Sequence, residues 1–477
     1  MRDERANLRD GLFALPRRVH LIGIRGAGMR GIAVALAAKG HRVTGSDAAE
    51  APDSCRLAAA GIRVVRGHDA ENLPADADLV VHSAAIREGN PELVEARRRS
   101  LSVVKYAEAL GGLMALSRGI AVAGAHGKTT TTGLLAWTLA QLGADPTFVV
   151  GGEVPELGGS SRVGKGEFLV AEACEYDRSF HRLRPEVAIV TNIDEDHLDY
   201  YSDLAEITAA FVEFGRLLPP RGLLATLNEH GRTFAEARLP APVVTVGIEK
   251  DADWVARDCA PLPGGTLFTA RYGARDVARV RLQLPGYHNV LNALLVMAVS
   301  THLGFDPEAA GRAMGLFRGV GRRFDVKWNY GDLVVVDDYA HHPAEIRACL
   351  GSVRAAWPNA RVWVVFQPHQ ASRTRFLLRE FASALHTADR VVVPDIFFAR
   401  DSEEERRRIS SRDLVMKIRN LGTKAEHVPD FSEIEEYLIA ELRPRDVLVT
   451  MGAGDVYRVA DAIVARLKGF RSMNIPA

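Results

Sequence analysis

Seven residues, Gly124-Ala125-His126-Gly127-Lys128-Thr129-Thr130, constrain this chain more than any others. They stand between an apolar run, Gly119 to Ala123, and a stretch from Thr129 to Leu142 that reads as a helix. A glycine turn before a helix lets backbone N–H groups approach phosphate oxygens, and the helix N-terminus adds partial positive charge. Lys128 is then placed to reach the β- and γ-phosphates of a nucleotide, and the Thr129 hydroxyl to ligand Mg²⁺. The spacing departs from the general phosphate-loop pattern, because Val122 stands where its first glycine would fall. The loop is the shorter G-x-x-G-K-T form.

The rest of the chain repeats the same logic of apolar run followed by amphipathic stretch, which predicts βα units and parallel sheets. A length of 477 residues suits about three domains. Lys plus Arg and Asp plus Glu are 60 each, so there is no basic excess of the kind a general nucleic-acid binder shows. Cys55, Cys174, Cys259 and Cys349 are scattered without a CxxC, which argues for reduced thiols rather than zinc or disulfides. Met1 to Leu15 has no apolar signal core, and no run approaches a membrane span, so a cytoplasmic protein is expected.

Before the phosphate loop, Arg18 to Ile24 and His41 to Gly45 read as strands around a second glycine loop, Gly26-Ala27-Gly28-Met29-Arg30-Gly31, with Ser46-Asp47 after the second strand. This resembles a dinucleotide fingerprint. Alone it fits a dehydrogenase, or any nucleoside diphosphate on a helix N-terminus. After the phosphate loop, two apolar runs lead into acidic clusters, Glu172 to Asp177 and Asn192 to Asp199. Carboxylates there suit Mg²⁺, whereas a His ligand is less usual for that ion. Val243 to Leu284 is short, alternating and turn-rich, closer to an antiparallel flap than to βα units. Asn289 and Asn292 share one face of an apolar helix, where they either read a nucleobase edge or cap the helix.

From Gly321 onward, four apolar strands each end in polar residues, notably Asp337-Asp338-Tyr339, Gln367-Pro368-His369 and Asp395. Ligands of open α/β sheets sit at those strand ends. Asp338, His341, His369 and Arg373 together make a binding site, while His342 reads as a hydrogen-bonded structural histidine.

Eight motifs in one order, GAGMRGIA, GAHGKTTTT, EACEYDRSF, TNIDEDHLDYYSD, GYHNVLNA, GRRFD, DDYAHHPAEI and FQPHQASRTR, resemble those of the Mur ligases of peptidoglycan synthesis over nearly the whole chain. The resemblance implies three α/β domains. Residues 1–117 would be a Rossmann-like domain holding a UDP-sugar through Gly26, Ala27, Gly28, Met29, Arg30, Ser46 and Asp47, which resolves the ambiguity of the first glycine loop. Residues 118–320 would be a P-loop ATPase-like domain with a parallel sheet, binding ATP through Gly124 to Thr130 with Asn289 and Asn292 at adenine. Thr129, Glu172 and His197 would serve Mg²⁺ or Mn²⁺. Residues 321–477 would be a Rossmann-like closing domain, with Arg323 and Asp338 near the nucleotide and Tyr339, His341, His369 and Arg373 facing the acyl and amino substrates. DDYAHHP and FQPH point within the family to addition of L-alanine to UDP-N-acetylmuramate, by a monomer or dimer. A sister activity, recycling a released tripeptide, needs a larger amino-acid pocket. A nucleotide-binding regulator without catalysis is opposed by the retained Lys128, Glu172 and His197.

Two departures from the family pattern stand out. Ala125 replaces a usual threonine, and Gln370-Ala371-Ser372 replaces a usual Arg-Tyr-Thr. The implied chemistry needs no protein nucleophile: ATP phosphorylates a carboxylate, and an amine displaces phosphate from the acyl phosphate. The protein positions anions and neutralises their charge, a task for Lys128, Arg323 and Arg373, with His341 taking the proton of the incoming ammonium.

Overall fold

The computed structural model describes residues 11–48, 54–195, 200–249, 251–262, 264–330, 333–398 and 401–473. The expected metal ligand His197 lies outside them. Three sheets follow one another along the chain. The first contains β1 (Arg18–Ile22), β2 (Arg42–Asp47), β3 (Arg63–Arg66), β4 (Leu79–His82) and β5 (Ser102–Lys105), in the order β3-β2-β1-β4-β5. All its pairings are parallel. Strand β4 is buried along its whole length, as a strand covered on both faces must be.

The second sheet has ten strands: β6 (Arg118–Ala123), β7 (Thr147–Val154), β8 (Gly159–Arg162), β9 (Phe168–Glu172), β10 (Val187–Val190), β11 (Leu223–Leu227), β12 (Val243–Ile248), β13 (Trp254–Leu262), β14 (Gly265–Tyr272) and β15 (Arg275–Leu282). Strand β6 lies at its heart, between β9 and β10, which brings the phosphate loop between both acidic clusters. The expected antiparallel flap is corrected in part. Strand β12 continues the parallel sheet and pairs parallel with β13, whereas β14 and β15 pair antiparallel, with β14 lying beside β13. Alternation marks a half-exposed strand, but it does not give the direction of its neighbour.

The third sheet orders β16 (Asp325–Tyr330), β17 (Leu333–Asp338), β18 (Arg361–Phe366), β19 (Arg390–Val393), β20 (Lys424–His427) and β21 (Asp446–Met451) as β16-β17-β21-β18-β19-β20. Only β16 is antiparallel to its neighbour. Apolar clusters cover both faces of this sheet, one around Val336, Val364 and Phe381, the other around Val335, Trp363 and Ile463.

Residues 1–260 and 266–318 form one compact unit, and residues 319–477 with the short segment 261–265 form another. A continuous core explains the first unit. It runs from Leu21 and Ile32 of the first domain to Val149, Phe180 and Phe214 of the second. At this seam Gly31 faces β7 and β8 so closely that an added Cβ would lie 3.0 Å from Ser161 and 3.1 Å from Val149.

Candidate active site

The phosphate loop takes its shape from two glycines. Gly127, at φ +78°, precedes the helix Lys128–Gln141. Gly124, at φ +141°, has no room for a Cβ, which would collide with the Thr191 hydroxyl. The segment after β10 clamps the loop. Asn192 Oδ1 accepts the His126 N–H at 2.8 Å, and Asn192 Nδ2 and Thr191 Oγ1 donate to the His126 carbonyl at 3.0 and 2.6 Å. His230 holds that segment in turn, its Nε2 accepting the Ile193 N–H at 3.2 Å. Burial lowers the His230 pKa, which favours the neutral ring this bond requires.

Lys128 Nζ donates to Glu175 Oε1 and Oε2 and to the carbonyls of Gly124 and Ala125. Ala125 thus contributes its backbone, through its carbonyl and through its N–H to the Asn192 carbonyl at 3.3 Å. Glu175, the partner of the phosphate-loop lysine, is a candidate that sequence reasoning missed. It stood visible in EACEYD, but nothing in a charge run tells which carboxylate turns inward. Glu172 ends β9 and accepts from the Thr129 hydroxyl at 3.3 Å and from the Gly151 N–H. Among the described residues, no group of three or more His, Cys, Asp or Glu forms a metal cage. The carboxylate and hydroxyl side by side nevertheless suit Mg²⁺, which is held by few protein oxygens together with phosphates and water.

Asn289 and Asn292 open the helix Tyr287–His302, and both are buried. Asn289 Nδ2 donates to the Pro285 carbonyl at 2.8 Å, and Asn292 Nδ2 donates to Asn289 Oδ1 at 3.3 Å. Asn292 also abuts the loop, its amide 3.3 Å from where a Gly127 Cβ would stand. The capping reading does not hold, since the helix N-terminus at Gly286 receives no side-chain bond; the Asn289 amide ties back to the preceding carbonyl, and Asn292 lies against the phosphate loop.

In the first domain, Ser46 and Asp47 are the last residues of β2 rather than a loop beyond it. The Ser46 carbonyl accepts the N–H groups of Gly23 and Ile24, and Asp47 Oδ2 accepts the Arg25 N–H at 2.9 Å, so both anchor the first glycine loop. Gly26 precedes the helix Ala27–Ala38, whose first turn carries Gly28, Met29 and Arg30. Met29 is buried, and Arg30 faces Glu153 at 3.7 Å. Gly28 lies against Tyr106, whose hydroxyl would be 2.6 Å from an added Cβ.

In the second unit, Asp338 ends β17, buried. Its two oxygens accept the N–H groups of Phe324 at 2.8 Å and Ala340 at 2.7 Å. It therefore pins the Arg322–Phe324 turn. Burial raises its pKa to about 6, against the opposing pull of Arg323 and the two N–H bonds. The Arg323 guanidinium sits 4.8 Å from the centre of the Tyr339 ring and 3.6 Å from Glu345. His341 Nδ1 lies 3.1 Å from the Tyr339 carbonyl and 3.3 Å from Glu345 Oε2. The His341 and His369 rings meet edge to face at 6.2 Å, and His369 stacks on Phe397. His342 caps the helix Pro343–Ala356, as its structural reading held. Arg373 lies in the short helix Ala371–Phe376, immediately after β18 and its polar end.

The chain, with a glycine loop in its first sheet, a phosphate loop in its second and histidines and an arginine after the strands of its third, matches three successive profiles: Mur ligase family, catalytic domain, over residues 18–118; Mur ligase middle domain over 122–300; and Mur ligase, glutamate ligase domain, over 322–454. The chain belongs to the Mur ligase family. It is 46% identical over 454 residues to a UDP-N-acetylmuramate–L-alanine ligase of Rubrobacter xylanophilus, covering 94% of this chain and 100% of that one. The crystal structure of UDP-N-acetylmuramate-alanine ligase from Thermotoga maritima is similar with a TM-score of 0.80 at 30% identity, covering 95% of this chain and 100% of the other. A murein peptide ligase of Psychrobacter arcticus follows at 25% identity and a TM-score of 0.69, covering 97% and 100%.

Proposed function

We propose that this chain joins L-alanine to the lactyl carboxylate of UDP-N-acetylmuramate, converting ATP to ADP and phosphate. The observation that carries the reading is the Lys128 loop beside the Glu172–Thr129 pair. The curated relatives at 42–46% identity over nearly the whole chain are alanine-adding, and the TM-score of 0.80 to an alanine ligase against 0.69 to a murein peptide ligase favours the alanine reaction over tripeptide recycling.

The carboxylate attacks the γ-phosphorus, ADP leaves, and the amine then attacks the acyl carbon and expels phosphate. Lys128 neutralises charge on the transferring phosphoryl group. Thr129, Glu172 and His197 would hold Mg²⁺, which when bound offsets the negative charge of the phosphates. Asn292 and Asn289 would border adenine, and Arg323 would pair with phosphate. His341 would take the proton of the alanine ammonium. Tyr339, His369 and Arg373 would line the acyl and amino groups. Gly26 to Arg30 would seat the diphosphate at a helix N-terminus.

Among the described residues no helix is long and apolar enough to cross a membrane, in keeping with a cytoplasmic enzyme acting on soluble precursors. The deciding experiment is phosphate release with ATP and UDP-N-acetylmuramate, supplying L-alanine, glycine, L-serine or the tripeptide in turn. Release with L-alanine supports the proposal. Release with the tripeptide alone replaces it with the recycling reaction, and release with none of them removes the ligase reading.

A further inference from the structure

A buried polar cluster behind the first glycine loop takes no part in the chemistry above. Glu92, fully buried in the first turn of the helix Pro91–Arg98, is its centre. One carboxylate oxygen accepts from His20 Nε2 at 2.6 Å. The other accepts from the Ser46 hydroxyl at 2.7 Å and from His68 Nδ1 at 2.8 Å. On the far side of His20, the Thr44 hydroxyl donates to Nδ1 at 2.9 Å. Burial alone would raise the Glu92 pKa, but the bonds from His20, Ser46 and His68 outweigh it and the net shift is downward. The group is therefore a carboxylate, which only accepts hydrogen bonds.

That fixes the donors. His68 must carry its proton on Nδ1, which leaves a lone pair on Nε2. The His68 side chain is 19% exposed, whereas His20 and Glu92 are sealed. Its place in the sheet is also fixed. Asp47, the last residue of β2, pairs with Arg66, the last of β3. The Gly67 N–H bonds to the Asp47 carbonyl at 2.8 Å, and His68 follows. Along the carboxyl edge of the sheet the order is thus glycine loop after β1, Asp47 after β2, His68 after β3. A nucleoside whose diphosphate rests on the glycine loop would have to run along this edge, where His68 stands at the far end.

We propose that Glu92 is a positioning residue that locks His68 in the Nδ1–H tautomer, so that His68 Nε2 accepts the N3–H of a uracil base and rejects cytosine. The inference rests on the uridine-diphosphate reading of the first domain. Uracil carries a donor at N3, whereas cytosine carries a lone pair there, which would face the lone pair of Nε2. A site built around one hydrogen bond discriminates strongly against an analogue that cannot make it.

The test is a titration of the full chain with UDP and with CDP, for the parent, His68→Ala and Glu92→Gln, at a pH where nitrogen-15 shifts show the parent His68 carrying one proton. The parent is expected to favour UDP by roughly tenfold to a hundredfold. In both variants that preference should fall at least about tenfold, mainly through weaker UDP binding. Nitrogen-15 shifts of the parent imidazole should show His68 protonated on Nδ1. A preference unchanged in His68→Ala, or a His68 proton on Nε2, overturns the proposal. Should Glu92→Gln fail to fold, as loss of a buried carboxylate with three donors allows, His68→Ala decides alone, because its ring is partly exposed and not a core element. A parent that does not bind UDP overturns the uridine reading itself. UDP binding with an unchanged base preference overturns only the role of His68 and Glu92.

Discussion

Lys128 Nζ stands 2.8 and 2.9 Å from the two carboxylate oxygens of Glu175, a residue only 2% exposed. A flexible ammonium is thereby aimed before any nucleotide arrives. The cost of ordering a long side chain falls on the fold rather than on binding. Lys128→Ala is expected to reduce ligation by about 10²–10³ or more while UDP affinity is retained, since the charge belongs to the second domain. ADP release and UDP calorimetry measure the two separately. Activity within about tenfold of the parent would contradict the assignment.

Glu172 bridges Thr129 of the phosphate-loop helix and Gly151 of β7. Glu172→Ala should move the Mg²⁺ titration of turnover to higher concentration and lower the plateau. The comparison is made at saturating ATP. An unaltered Mg²⁺ curve would reduce the carboxylate to a brace between two strands.

Asp338 carries a pH signature. Its folded pKa, about 6, exceeds the ordinary 3.8. Between those values the folded chain holds a proton that the unfolded chain has released. The contribution to stability is therefore full at low pH and is lost as pH rises through the folded value, by up to roughly 3 kcal/mol. Asp338→Asn cannot ionise. Its deficit against the parent, read by thermal melting, should shrink between about pH 4.5 and pH 7.5. A deficit constant across that range would mean that Asp338 is charged throughout.

Gly28→Val is expected to weaken binding of UDP-N-acetylmuramate without affecting ATP. The Cβ at this position meets the Tyr106 hydroxyl at 2.6 Å, so the side chain displaces packing as well as ligand. Melting should fall together with affinity in Gly28→Val, and less in Gly28→Ala. Unchanged binding of the UDP-sugar in the valine variant would move its diphosphate away from this loop.

Gln370 occupies φ +71°, ψ 131°, a backbone region that suits glycine. Its N–H is tied to the Phe397 carbonyl at 3.0 Å. Such strain costs on the order of 1–3 kcal/mol. Gln370→Gly should raise the melting temperature by a few degrees, net of the extra freedom glycine gives the unfolded chain. A lower melting temperature would show that the glutamine side chain contributes more than the strain removes.

Much of this molecule was legible from one strand of text. Strand β6, the phosphate loop and its helix could be read from an apolar run, two glycines and a lysine, because local geometry and local chemistry coincide there. Strands β3 and β8 were not legible, being only four residues each and half-covered. Nor could the sequence show that the Ser46 hydroxyl donates to Glu92, 46 residues away. Nothing in the sequence set Glu92 and Glu345 apart, or Glu175 from its acidic neighbours. Which carboxylate is turned inward depends on helix phase and distant partners, and no short window of sequence contains either.

The seam at Gly31 has a mechanical consequence. Without a side chain there, the helix that begins at the first glycine loop presses directly on β7 and β8, and β7 in turn carries the Gly151 that holds Glu172. The two glycine loops are thus mounted on one frame, like the jaws of a caliper set to a single opening. A ligand held by both, as the proposed function has it, would have to span a gap whose width belongs to the protein. On that proposal, reach along the substrate, from diphosphate to reacting carboxylate, would be a criterion of selection before any contact with the amino acid is made.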